Sequence, residues 1–281
     1  MDTTSLRRTP LDAAADAAGA RMVPFAGWRM AIQFSGLVQE HNAVRQHCGV
    51  FDISHMGVLT LRGQGTKDAL QRLVPTDLFR IGPGEASYTV LLNEAGGIRD
   101  DLIVYDRGRV DGPEGERDEL VLVINAACAE ADTAWIASQL EPEGITITDR
   151  KGDGVLLALQ GPEAPARLEA LVGTSLAGLP RFGHRELAID GAPVAVGVGD
   201  TAAEALVVPG QLLAAFHLRI EGTLQGHQLF LQLSFGLGLL LLGAQGCILR
   251  FQCLEATFQA LDINLLAAQD LLELVQQSSK P

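Results

Sequence analysis

Residues 86–106 read ASYTVLLNEAGGIRDDLIVYD. Two runs of strand-forming residues flank the glycine pair Gly96 and Gly97, the pattern of two strands around a turn. Such a hairpin commits this part of the chain to antiparallel pairing. Two adjacent carboxylates, Asp100 and Asp101, open the second run. They can be solvated turn residues. Alternatively Asp101, in register with the strand, turns inward and offers an unpaired carboxylate to a ligand. Alternation alone leaves both readings open, because DLIVY is strand-like in either case.

The stretches around the hairpin mix helix and strand patterns. SGLVQEHNAVRQHCG reads as a helix with apolar positions at Leu37, Val38, Ala43 and Val44, stopping at Gly49. GTKDALQRLV reads as a second, with Thr66 as its cap and Leu70 and Leu73 on one face. CAEADTAWIASQL places Trp135 and Ile136 inward, and PEAPARLEALVG is a helix with Pro162 near its start. GVFDIS, GVLTLRG, LVLVINA, ITITD and VLLALQG read as strands, and RGRVDGPEGERDE as a charged loop. FAGW, residues 25–28, reads as a packing corner built on Phe25 and Trp28. No strict β-α-β rhythm runs through these elements, so the fold class is α+β with mixed or antiparallel sheets.

A chain of 281 residues is long enough to bury a substantial core. The formal net charge of −13 disfavours nucleic acid as a partner, since phosphate is met by basic surface. Cys48, Cys128, Cys247 and Cys253 show no metal-binding spacing, and free thiols in a reducing, cytoplasmic setting are expected. The first twenty residues lack the apolar stretch of a secretory signal. The run at residues 229–249 approaches the length of a membrane span, but Gln232, Ser234 and Gln245 interrupt it and basic flanks are sparse; a buried segment is expected, with no membrane association. Near residue 200 the composition changes: both tyrosines and both tryptophans precede that point, and leucine and glutamine dominate after it.

RTPLDAAADAAGARMVPFAGWRMAIQFSGLVQEHNAVRQHCGVFDISHMG, then ASYTVLLNEAGGIRDDLIVYD, LVINAA and LALQGPEA, follow one another in an order that resembles the aminomethyltransferase family, the folate-dependent T-protein of the glycine cleavage system. The resemblance covers residues 8–197. It implies a folate-binding fold with residues 1–52 and 142–250 as a discontinuous first domain, the second segment divergent after about residue 197, and residues 53–141 as an inserted α+β domain; residues 251–281 read as a divergent helical tail. It implies tetrahydrofolate as co-substrate, no metal, and the lipoylated H-protein as partner. It places Asp101 at the folate as the catalytic carboxylate, with Asp100 as its turn partner. Met56, Tyr88, Tyr105 and Asn125 match folate-pocket positions. His55 matches no catalytic position, and a structural histidine bonded to backbone is expected there.

After residue 197 the match weakens. The family's Arg-Thr-Gly-Tyr-Thr-Gly-Glu-Asp-Gly stretch is replaced by GVGDTAAEAL, with Glu204 one position from the expected glutamate. Further on, Gln245 and Gly246 stand where the family carries arginine and aspartate. The family's small C-terminal β-rich domain is expected to be lacking. These departures raise an alternative: a folate-binding or degenerate relative without transferase activity. GVGDTA also fits a weak nucleotide fingerprint through Gly197, Gly199 and Ala202.

Overall fold

In this computed structural model, the structure describes residues 5–113, 115–189, 192–199 and 203–209. The chain enters as β1 (Arg7–Arg8), α1 (Asp12–Ala17) and a hairpin of β2 (Arg21–Phe25) and β3 (Trp28–Gln33), giving a small sheet in the order β1-β3-β2. Ala26 and Gly27 both take positive φ, 48° and 79°, the handed turn that lets two twisted strands meet over two residues. The FAGW corner is therefore a hairpin turn. Trp28 is buried, whereas Phe25 is 57% exposed, so the two expected packing residues are unequally covered.

Helix α2 (Leu37–Gln46) starts at Gly36, and Glu40 reaches back to accept the amides of Phe34, Ser35 and Gly36 at 2.7–2.8 Å, satisfying donors that a helix start leaves over. Its expected apolar face is not buried: Leu37 and Val38 are exposed, and no α2 residue is buried. Gly49 does not merely stop the helix but begins β4 (Gly49–Asp52).

The next unit is a five-stranded antiparallel sheet. Its strands are β5 (Gly57–Gly63), β6 (Glu85–Leu92), β7 (Ile98–Val110), β8 (Arg117–Ile124) and β9 (Thr146–Asp149), in the order β6-β7-β8-β5-β9. Helix α3 (Thr66–Gln71) follows β5, and α4 (Ala129–Leu140) follows β8. One face of the sheet presents Leu59, Leu61, Leu91, Leu102, Val104, Leu120, Leu122 and Ile124 to Leu70, Leu73, Ile136 and Leu140 from the helix side. Each such leucine contributes about 1.5–3 kcal/mol on leaving water. Trp135 is partly buried against the same core. The N-cap of α3 is Gly65, whose φ of 72° favours glycine. Thr66 is already inside the helix, and its hydroxyl donates back to Gly63 O at 3.1 Å. The oxygen that meets Gly65 N comes instead from Asp118, at 3.1 Å, a residue distant in sequence. The charged loop is shorter than its composition predicts, because β7 continues to Val110 and β8 starts at Arg117. Arg62 and Arg107 both pair with the buried Glu119 and so hold charged residues within the strands.

The last sheet joins segments from either side of that unit. It contains β4, β10 (Gly154–Gln160), β11 (His184–Ile189), β12 (Ala192–Val198) and β13 (Ala203–Pro209), in the order β11-β12-β13-β10-β4, with α5 (Ala164–Val172) between β10 and β11. The chain thus leaves this sheet after β4, forms the five-stranded unit, and returns at β10. Strand β9 pairs with β5, so the intervening sheet extends to Asp149, past the expected limit of the insert at residue 141. Gly197 lies within β12, paired antiparallel to β11 and β13, and a strand rather than a helix follows it, so the nucleotide-fingerprint reading fails. The two large sheets meet where His184 N donates to Gly84 O at 2.7 Å and Ala86 N to Phe182 O at 2.6 Å. Among the described residues, no helix is long and apolar enough to cross a membrane. The apolar run at 229–249, the helical tail at 251–281, Gln245, Gly246 and the side chain of Glu204 lie outside the described residues.

Candidate functional site

Side chains alternate along a strand. On β7, Leu102 and Val104 point to the helix-covered core, so Asp101, Ile103 and Tyr105 point to the opposite face. Asp101 lies across from Val90, Ile103 from Tyr88, and Tyr105 from Ala86; cross-strand partners share a face. On the other side, Ile103 lies across from Val123, which in turn pairs with Val58 of β5. Asn125 is the first residue after β8 and Met56 the last before β5, at the same end of the sheet as Asp101. The register thus places all five predicted site residues along one open face or its upper edge.

Three of them are joined by hydrogen bonds. Tyr88 Oη donates to Asp101 Oδ2 at 2.7 Å. Asn125 Nδ2 donates to Asp101 Oδ1 at 3.1 Å and to Asp101 O at 3.2 Å. The Asp101 carboxylate is thereby held from both sides, a phenol on one oxygen and an amide on the other, while remaining half-exposed. Tyr88, 55% exposed, has its phenol pushed up from its ordinary range, chiefly by the hydrogen bond to Asp101. Tyr105 is not in this set. It stands four residues along β7, about 13 Å away at strand spacing, and its ring meets His184 edge-on at 5.4 Å. Met56 is half-buried, its amide donating to Ile53 O at 3.0 Å.

Asp100 is not a turn residue. It lies inside β7, half-buried, on the other side from Asp101, and accepts Asn125 Nδ2 at 2.9 Å and Asn125 N at 3.3 Å. Strand parity separates the two neighbours. His55 is buried, with Nδ1 unpartnered among the described residues and the Phe25 ring edge-on at 5.5 Å. No backbone bond fixes that nitrogen, contrary to expectation, and burial pushes the imidazole's proton affinity down.

Sequence reasoning passed over Asp132. It sits on the buried stripe of α4 formed with Ala129, Ile136 and Leu140. A carboxylate at a stripe position is the signal that would have found it. Asp100, Cys128 and Asp132 bring their ligand atoms within 4.8 Å of one another, a spacing that a metal ion can use. Arg99, 3.5 Å from Asp132 Oδ1, competes with a metal for that oxygen. The Cys128 thiol is pushed up by burial and by Asp100, which keeps it protonated and a poor ligand.

A fixed carboxylate on an exposed sheet face can accept a hydrogen bond from a ligand amine and stabilise positive charge developing on it. Comparison with known proteins gives this geometry its context. Residues 11–199 match the GCVT N-terminal domain. The chain is 70% identical over 186 residues to an aminomethyltransferase of Synechococcus sp. (strain RCC307), covering 66% of this chain and 50% of that protein. It is 62% identical over 183 residues to an aminomethyltransferase of Prochlorococcus marinus (strain MIT 9303), covering 65% and 48%. The fold resembles the crystal structure of glycine cleavage system aminomethyltransferase T from Bartonella henselae, with a TM-score of 0.66 and 31% identity over 78% of this chain and 58% of that one. The chain spans about half the length of the curated relatives it matches. With the GCVT N-terminal domain covering most of its described residues, this α+β chain belongs to the aminomethyltransferase family.

Proposed function

We propose that this protein works as the aminomethyltransferase of the glycine cleavage system, moving the one-carbon unit from the aminomethylated lipoyl arm of the H-protein to tetrahydrofolate with release of ammonia. The observation that carries this reading is the Asp101 carboxylate, held by Tyr88 and Asn125 on the open face. In the reaction the methylene carbon loses both its bond to the departing ammonia and its bond to the lipoyl sulfur, and forms bonds to two amine nitrogens of the folate, whose two N–H protons leave with the ammonia and the freed dihydrolipoyl thiol. The accepting amine gains positive charge as the bond forms and must then lose a proton. Asp101 orients that amine and stabilises the charge. The two donors already on its oxygens keep it from swinging to solvent, so no reorganisation is needed at the moment of reaction. Tyr88 and Met56 offer an aromatic and a soft apolar surface beside a flat ring. Asn125 fixes the carboxylate and presents an amide edge. On this reading Tyr105 lies at the far end of the face, toward the junction with the second sheet.

A second reading is favoured by the sequence GVGDTAAEAL at 197–206, which lacks the family's glycine- and tyrosine-containing motif. It is a relative that binds folate without transferring the carbon. One assay separates the two: production of ammonia and methylenetetrahydrofolate by the purified chain with aminomethylated H-protein. Turnover supports the first reading. Tetrahydrofolate binding without turnover supports the second, and neither activity refutes both.

A further inference from the structure

Behind the open face, a second set of polar groups is buried against α4. Asp132 is 2% exposed, and its Oδ2 has no hydrogen-bond partner among the described residues. A buried acceptor left unsatisfied is costly, so a nearby group has to satisfy it. The charged and titratable groups facing Asp132 are Asp100 and Arg99 from β7 and Cys128 at the head of α4. Arg99 addresses Oδ1, and Asp100 is the neighbouring oxygen source. Two carboxylates this close cannot both be ionised without mutual repulsion, whereas one proton between them gives an O–H···O contact. Asp100 in turn accepts from Asn125, whose amide also holds Asp101, which accepts from Tyr88. The path from Asp132 through Asp100, Asn125 and Asp101 to Tyr88 crosses from the buried side of the sheet to its open face.

We propose that Asp132 is a positioning residue of the site: it holds a proton shared with Asp100, and that proton sets how the Asn125 amide divides between Asp100 and Asp101. With the proton in place on Asp132, one Asp100 oxygen is engaged with it and Asn125 is free to hold Asp101. When it is lost, the repulsion between the two carboxylates turns Asp100 toward the Asn125 amide, which loosens its hold on Asp101. The inference deepens the proposed function and rests on its reading of Asp101. Burial, and then Asp100, push the Asp132 carboxyl up to about 6, against the pull of Arg99, which puts the proton's loss in an accessible pH range.

The test is carboxyl carbon NMR of the aspartate-labelled full chain, titrated from about pH 4 to about pH 8, a window that brackets ordinary and raised carboxyl values. Asp101→Asn and Asp132→Asn assign the two resonances. The Asp101 signal is expected to show an inflection shared with Asp132, and Asp132→Asn to remove it from Asp101. Arg99→Gln, at a partly exposed position, covers the case in which Asp132→Asn does not fold; it is expected to move the shared inflection upward by about half a unit or more, since a cation favouring the charged form is lost. An Asp101 resonance that ignores both substitutions overturns the proposal. Transfer activity measured on the same samples keeps the two claims apart. Coupled inflections without transfer leave the positioning role standing and refute the proposed function; transfer with an indifferent Asp101 does the reverse.

Discussion

The two faces of the five-stranded sheet are made from the same strands, yet they are held together differently. On the covered face, Leu102, Val104, Leu122 and Ile124 are almost wholly out of water and meet the leucines and isoleucine of α3 and α4. On the open face, one residue away along each strand, Asp101, Ile103 and Tyr105 remain half-exposed, and the strongest contacts are hydrogen bonds between polar side chains. The first arrangement supplies stability and the second spends some of it on orientation. A substitution on either face is therefore expected to report on a different property.

The largest effect belongs to the covered face. Leu122→Ala removes a side chain with no exposed surface and is expected to cost about 3–4 kcal/mol. Ile103→Ala, on the half-exposed face of the neighbouring strand, is expected to cost less than about 2 kcal/mol. Urea unfolding of the two variants measures the difference. Equal losses would mean that the open face is covered in solution, and the contrast between the faces would go with it.

Asp101→Asn comes next and moves the opposite property. It preserves shape but, on the proposed reading, removes the charge that counts as positive charge forms on the amine. Transfer is expected to fall about 100-fold, with tetrahydrofolate affinity changing only a few-fold. Steady-state rates and calorimetric binding on the same preparation check this. A loss confined to binding would show that Asp101 recognises the folate without acting in the reaction.

Those neighbouring aspartates also show what a sequence can convey. The hairpin, the α3 and α4 stripes and the mixed order of elements follow from local apolar periodicity, and the fold realises them. What failed is what depends on distant partners. Leu37 and Val38 have a helical pattern, but both stay exposed in the described structure. Thr66 has the chemistry of a cap, but Asp118, brought in by the pairing of β5 with β8, supplies the oxygen instead. The hydrogen bonds of Asp101 were not legible locally, because they come from Tyr88 on one strand and Asn125 beyond another. Asp132 was legible in principle as a charge on an apolar stripe, but its meaning depends on Asp100, which local reading had assigned to a turn.

The buried side also predicts a pH dependence of stability. The Asp132 carboxyl lies at about 6 in the folded protein against an ordinary value of 3.8, so the folded state binds its proton more tightly than the unfolded chain does. The resulting stabilisation is complete below about pH 4 and is lost as pH rises through about 6, amounting to about 3 kcal/mol at most. Urea midpoints at about pH 4.5 and about pH 7 should differ in that sense. Asp132→Asn should flatten this component, while Asp101→Asn, on the open face, should leave it in place. Loss of the component in both variants would mean that the proton does not reside between Asp132 and Asp100.

Tyr88→Phe is the smallest expected change and the finest test of the open face. The residue is more than half exposed, so its removal leaves no buried cavity and stability should change by less than about 0.5 kcal/mol. What it removes is one donor to a carboxylate, and a hydrogen bond to a charged group is worth about 1.5–3 kcal/mol where water is excluded and less where water can replace it. Transfer should therefore fall by less than about tenfold, well short of the Asp101→Asn loss. The complementary measurement is spectroscopic. Tyr88 holds its proton beyond the ordinary range mainly because it donates to Asp101. Asp101→Asn should bring the Tyr88 ionisation, followed by tyrosinate absorbance against a Tyr88→Phe blank, back toward its ordinary value. An unmoved ionisation would show that the phenol does not hold the carboxylate in solution, leaving Asn125 as the identified donor to Asp101 on the open face.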